Sequence, residues 1–195
     1  MSKASHKLVE VDARPANRPT RREKTERALI QAARKVFLKR GYDGATTGEI
    51  ARAAGVAAGT FYLYFGDKRS AFGAVSRETG RKLLAEMLCG LEPGVDPGKL
   101  TRLTLQLVAD FWRSDPPLSR LILSGGPAIG MASDHAFADE VCEALQEIGV
   151  ADQEDPMALS LFLIGLSLQI GHLIVARPEA EDQVQALIEL AAQRF

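Results

Sequence analysis

Apolar residues recur along this chain at three- and four-residue spacing, and no run alternates apolar and polar positions as a half-buried strand would. The pattern predicts an all-α fold of about nine helices. The first helix runs from about Glu23 to Arg40, with Leu29, Ile30, Ala33, Val36 and Phe37 on one face and Gly41 placed to end it. A second starts near Thr47, because Thr46 and Glu49 have the spacing of a capping box. Ile50, Ala51 and Ala54 share one face of it, and Gly55 stands where it must stop. Val56, Phe61, Tyr62 and Phe65 then anchor a third helix of about two turns. Two short helices around a tight turn have the geometry of a helix-turn-helix, which lays its second helix in a DNA major groove.

Asp67 is an N-cap for a long helix to about Cys89. Pro and Gly break the chain between Leu91 and Gly98. Helices follow at about Lys99 to Arg113, Leu118 to Leu123, and from a cap at Ser133 or Asp134, the last with Phe137, Val141, Leu145 and Ile148 on its inner stripe. After the acidic linker Gly149 to Asp155, Pro156 to Ala176 contains no Asp, Glu, Lys or Arg. Its length permits a membrane span, but Gln169 and His172 lie inside it and no cationic cluster marks a cytoplasmic end. A buried core or interface helix is the favoured reading, with no membrane. A last amphipathic helix covers about Glu179 to Arg194.

Charge divides the chain where the pattern does. Residues 1–72 hold fifteen Lys and Arg against seven Asp and Glu, whereas residues 73–195 hold nine against eighteen. A basic first third suits a nucleic-acid partner, and the acidic remainder does not. The boundaries expected are a flexible basic arm at 1–22, a DNA-binding domain at 23–72, and an acidic helical domain at 73–195. The arm carries Arg18, Arg21 and Arg22, which are placed to enter a minor groove or to meet phosphates; a solvated tail is the alternative. Lys68 and Arg69 put cations at a helix N-terminus, against the macrodipole, and phosphate binding is a reason to tolerate them. Two distant cysteines make no disulfide framework, and the polar first residues make no signal peptide, so a reducing cytoplasm is expected.

Enzyme chemistry finds little support. His135, Asp139 and Cys142 share a helical face but have no second ligand cluster, so no metal is expected. Ser133, Asp134 and His135 are adjacent in sequence, which is not triad geometry. Neither a catalytic residue nor a cofactor is expected. Phe111, Trp112, Met131, Phe137 and Phe162 are candidates to line an apolar ligand pocket, with Gln169 and His172 as its polar fixings.

The run R-ALIQAARKVFLKRGYDGATTGEIARAAGVAAGTFYLYFGDKRSAFGAV, from Arg27 to Val75, resembles the DNA-binding domain of the TetR family of transcriptional regulators. The resemblance rests on AA..VF...GY, TT..IA..AGV and G-T-x-Y-x-Y-F..K, and covers about a quarter of the chain. It implies a homodimer, paired through the last two helices, that reads a palindromic double-stranded operator and responds to an unknown small molecule, with 73–195 as its effector-binding and dimerisation domain. A repressor is the main reading. An activator of the same fold, or a helical binding protein or enzyme with a basic partner-binding region, is the alternative. By position the resemblance assigns DNA contacts to Thr47, Ala58, Gly59, Thr60, Tyr62, Tyr64 and Lys68. Gly48, Ala57, Ala58 and Gly59 carry no side chain able to make a bidentate base contact, so direct readout is thin. Ser160, Ser167 and Gly171 form a small-residue stripe suited to the close approach of another helix.

Overall fold

A computed structural model describes residues 19–89, 97–124, 135–147 and 155–193. Arg18, Met131 and the expected caps Ser133 and Asp134 lie outside the described residues. Within them the chain is helical, in the order α1 (Arg21–Gly44), α2 (Thr47–Ala53), α3 (Ala58–Phe61), α4 (Lys68–Cys89), α5 (Pro97–Ser114), α6 (Pro116–Ser124), α7 (His135–Glu147), α8 (Pro156–Ala176) and α9 (Glu181–Ala192).

The start of α1 corrects the sequence reading. Thr20 and Glu23 form a capping box, with the Glu23 amide donating to Thr20 Oγ1 at 3.2 Å and the Thr20 amide to Glu23 Oε2 at 2.7 Å. The cap satisfies amides that a helix end otherwise leaves unpaired. Arg21 and Arg22, expected at the end of the arm, therefore occupy the first helical turn. Gly41 breaks α1 where expected, at φ 72°, and one further turn continues to Gly44. Gly55, at φ 71°, makes the turn between α2 and α3.

Helices α1 to α4 close on Leu29, Phe37, Ile50, Phe61 and Phe72, all essentially without solvent contact. Burying each such side chain contributes roughly 1.5–3 kcal/mol, enough to hold helices too short to persist alone. The C-terminal helices form a second core around Trp112, Leu105, Phe137, Ile170 and Ile188. Helix α6 belongs to both. Leu118 and Leu121 join the N-terminal core, while Leu123 on the same helix joins the C-terminal one. Asp115 caps α6, accepting from the Leu118 amide at 3.1 Å, and pairs with Arg34 of α1 at 2.8 Å.

The uncharged helix α8 is long and apolar enough to cross a membrane, yet it packs against α5, α6, α7 and α9. The small-residue stripe faces inward. Ser160, Ser167 and Gly171 are buried within the chain itself, and Trp112 Nε1 donates to the Ser167 carbonyl at 3.0 Å. At Ser167 and Gly171 the helices that approach are α5 and α6, through Trp112 and Leu123. The opposite side of α8 is exposed through Leu161 and Phe162, the latter 50% accessible, and Leu190 of α9 is 56% accessible. Asp155, expected in a linker, caps α8 through the amides of Met157 and Ala158.

Candidate nucleic-acid interface

Helix α2 is held by its own cap and by Arg40, 3.5 Å from Glu49. Thr47 opens it, and Thr47 Oγ1 lies 3.0 Å from the Tyr62 hydroxyl just beyond α3. That bond ties the first helix of the motif to the end of the second. Helix α3 is shorter than the sequence suggests. One α-turn, Ala58–Phe61, passes into a tighter turn in which the amides of Leu63, Tyr64 and Phe65 return to carbonyls of Thr60 and Phe61. Ala57 supplies no side-chain cap, which leaves the first amides of α3 without that partner.

Phe61 and Phe65 point into the core and fix which way the rest of α3 faces. Ala58, Gly59 and Tyr62 are exposed, while Thr60 and Tyr64 are half-buried. Tyr62 is 57% accessible although its ring meets Phe61 edge-on at 5.4 Å between centroids. Leu63, at 76%, is the most exposed large apolar residue of the motif. Its position midway between the core residues Phe61 and Phe65 is the signal in the sequence for that exposure.

Lys68 has a task the sequence did not suggest. Its Nζ donates to the carbonyls of Tyr42 at 2.8 Å and Asp43 at 3.2 Å, and stands 4.6 Å from the centre of the Tyr42 ring. A cation at the start of α4 thus closes the carbonyl end of α1, where the dipole favours it. Asp67 completes the corner, accepting from the Ser70 amide at 2.7 Å. That bond, with the Ser70 hydroxyl, holds its carboxyl below the usual range. Lys68→Met keeps the stem and removes the donor, and is expected to cost about 1–2 kcal/mol. The measurement is the urea midpoint at constant slope, and an unmoved midpoint would discard this role.

The effector candidates are not gathered in one place. Trp112 and Phe137 lie in the C-terminal core, and Phe111 is partly buried beside Trp112. Phe162 and Gln169 lie on the exposed side of α8. His172 is occupied by backbone, with Nδ1 2.8 Å from the Leu168 carbonyl oxygen and Nε2 2.9 Å from that of Leu123.

Residues 29–75 match the family model for bacterial regulatory proteins of the tetR family. A relative named HTH-type transcriptional repressor AcnR, from Corynebacterium efficiens, is 30% identical over 97 residues, 45% of this chain and 50% of that one. The AcnR of Corynebacterium glutamicum is 29% identical over the same length. The matched region thus spans about half the length of these relatives. Among solved structures, a TetR-family transcriptional regulator of Pectobacterium atrosepticum superposes with a TM-score of 0.66 at 19% identity, over 91% of this chain and 96% of that one. NalD of Pseudomonas aeruginosa superposes with a TM-score of 0.57 at 22% identity, over 88% and 96%. At these identities the two structures speak for the fold.

Proposed function

Because this chain belongs to the TetR family of bacterial transcriptional regulators, we propose that it is a repressor that binds a palindromic operator as a homodimer and leaves it when a small effector binds the C-terminal region. The observation that carries the DNA-binding part is the exposed first turn of α3, standing on a buried aromatic base in the basic third of the chain. Ala58 and Gly59 let that turn approach base edges closely, and Thr60, Tyr62 and Tyr64 offer hydroxyls beside it. Thr47 acts with Tyr62 as a bonded pair toward phosphate. Arg21 and Arg22, on the first turn of α1, and Arg18 before it supply backbone charge that α3 lacks. Lys68 serves by fixing the corner between α1 and α4.

The exposed Leu161 and Phe162 of α8 and Leu190 of α9 support pairing through the last two helices, because a partner would remove them from water. A two-fold pair presents two copies of α3, and its site must be a pseudo-palindrome. Repression is supported by the name of a sequence relative: AcnR is a transcriptional repressor. A cytoplasmic location follows from this role.

The test is fluorescence anisotropy with a pseudo-palindromic duplex from the promoter region of the chain's own gene, against a scrambled duplex, across a salt series. The native duplex should bind about a thousandfold tighter or more. The logarithm of the binding constant should fall by about 0.9 per phosphate contact for each tenfold rise in salt. Equal affinity for both duplexes would reject the reading.

A further inference from the structure

The described cations of residues 73–195 are unevenly placed. Nine Lys and Arg occur in that segment against eighteen Asp and Glu, yet three of the nine, Arg113, Arg120 and Arg177, line one cleft. The cleft, about 230 Å³, lies between the α5–α6 corner and the α8–α9 connection. One carboxylate, Glu181, lines it and is already bonded to Arg113 at 2.6 Å. Arg113 is further offset by Asp110 at 3.2 Å. Arg120 and Arg177 make no ion pair among the described residues, so within those residues the cleft keeps two uncompensated guanidiniums in a segment that is otherwise strongly acidic. Its apolar wall is built from Trp112, Ile174, Val175 and Val184, with Pro116 and Pro178 at its edges.

We propose that this cleft is a binding site for a small organic anion, a carboxylate with a compact apolar body. A guanidinium offers a planar fork of donors that matches a carboxylate, and it is more weakly hydrated than an ammonium. The apolar wall excludes water from one side of the ion pair, which strengthens it, and gives the body of the anion a surface to bury. The volume is below that of sites for drug-sized ligands, so the occupant is small. An inorganic anion would leave the apolar wall unused, and a neutral molecule would leave both guanidiniums without a partner.

The position gives binding a consequence. Arg120 lies on α6 between Leu118 and Leu121, which pack into the DNA-binding domain, and Asp115 at the start of α6 holds Arg34. An anion seated on Arg120 acts on the helix shared by both cores. Use of the cleft as the effector site therefore rests on the repressor reading, whereas anion binding itself does not.

Trp112 is the single tryptophan of the chain and forms part of the wall, so its fluorescence reports occupancy without DNA. The full chain is titrated with benzoate and hexanoate, with benzamide and sodium phosphate in parallel, to about 10 mM, where an affinity as weak as roughly −4 kcal/mol still registers. Saturable change with a carboxylate, and weaker change with benzamide and phosphate, is expected. Arg120→Gln and Arg177→Gln should each lower carboxylate affinity about tenfold or more, as loss of a charged hydrogen bond does. No saturable change with either carboxylate, equal binding of benzamide, or unchanged binding by the double variant would overturn the site. Carboxylate binding that leaves operator affinity unaltered would count against the effector role and not against the site.

Discussion

A Gly59→Glu chain should fold at least as well as the parent and bind its operator about a hundredfold more weakly or worse. The two effects separate because of where Gly59 sits. A Cβ added there meets nothing within 4 Å, so the side chain fits without moving its neighbours. Gly59 is the second residue of α3, a helix whose cap residue Ala57 makes no side-chain hydrogen bond. A carboxylate in that first turn faces unpaired amides and the positive end of the dipole, worth about 0.3–1 kcal/mol in favour of folding. With α3 in the groove as proposed, the same charge would be brought against phosphates. Like charges forced together cost several kcal/mol, and each 1.4 kcal/mol or so is a factor of ten in affinity. Gly59→Gln has the bulk without the charge and should fall between the two. Anisotropy gives the affinity and a thermal melt gives the fold. Operator affinity kept within about threefold in the Glu variant would mean that α3 does not face the duplex.

The largest loss of stability is expected at Gly171. A Cβ there would stand 2.8 Å from Leu123 Cδ1 and 3.0 Å from two ring carbons of Trp112. Leu123 ends in a methyl that can rotate. The indole cannot yield so readily, because its Nε1 is bonded to the Ser167 carbonyl and it is 1% exposed. Overpacking of a tight core costs about 1–3 kcal/mol, and Gly171→Val, with two methyls beyond the Cβ, belongs at the upper end. For a chain of this length about 3 kcal/mol lowers Tm by roughly 6–12 °C. Gly171→Ala should lose less, since alanine recovers about 1 kcal/mol of helix propensity. An unchanged Tm in the Val variant would show that α8 does not pack on Trp112 as closely as described.

Much of the candidate interface was legible in the chain itself because its determinants are local. Capping boxes bond residues three apart, and a left-handed turn needs a glycine at one position. Thr46 with Glu49, Gly41, Gly55 and the core assignment of Phe61 and Phe65 all follow from such short-range rules. Thr20 and Glu23 have the same box spacing, and it places Arg21 and Arg22 on α1 instead of in the arm. Apolar spacing continues through Phe65 while the backbone tightens after Phe61, so spacing alone overstates the length of α3. Lys68 shows the limit of local reasoning. Beside Asp67 it looks misplaced, and only the fold brings the carbonyls of Tyr42 and Asp43, 26 and 25 residues earlier, to its ammonium.

For the C-terminal half the division is sharper. Periodicity and charge determined that it is helical, acidic and built around an uncharged helix. They could not say which side of α8 is inside, because a helix apolar all round has no pattern to orient it. The tertiary structure decided that Ser160, Ser167 and Gly171 are inside, the last two against Trp112 and Leu123, leaving Leu161 and Phe162 on the surface. It also decided that α6 spans both cores, and that Arg113, Arg120 and Arg177, far apart in sequence, share a cleft. The reason is the range of the interactions: helix formation is settled within a few residues, whereas the orientation of each face is settled by which distant side chains it excludes from water.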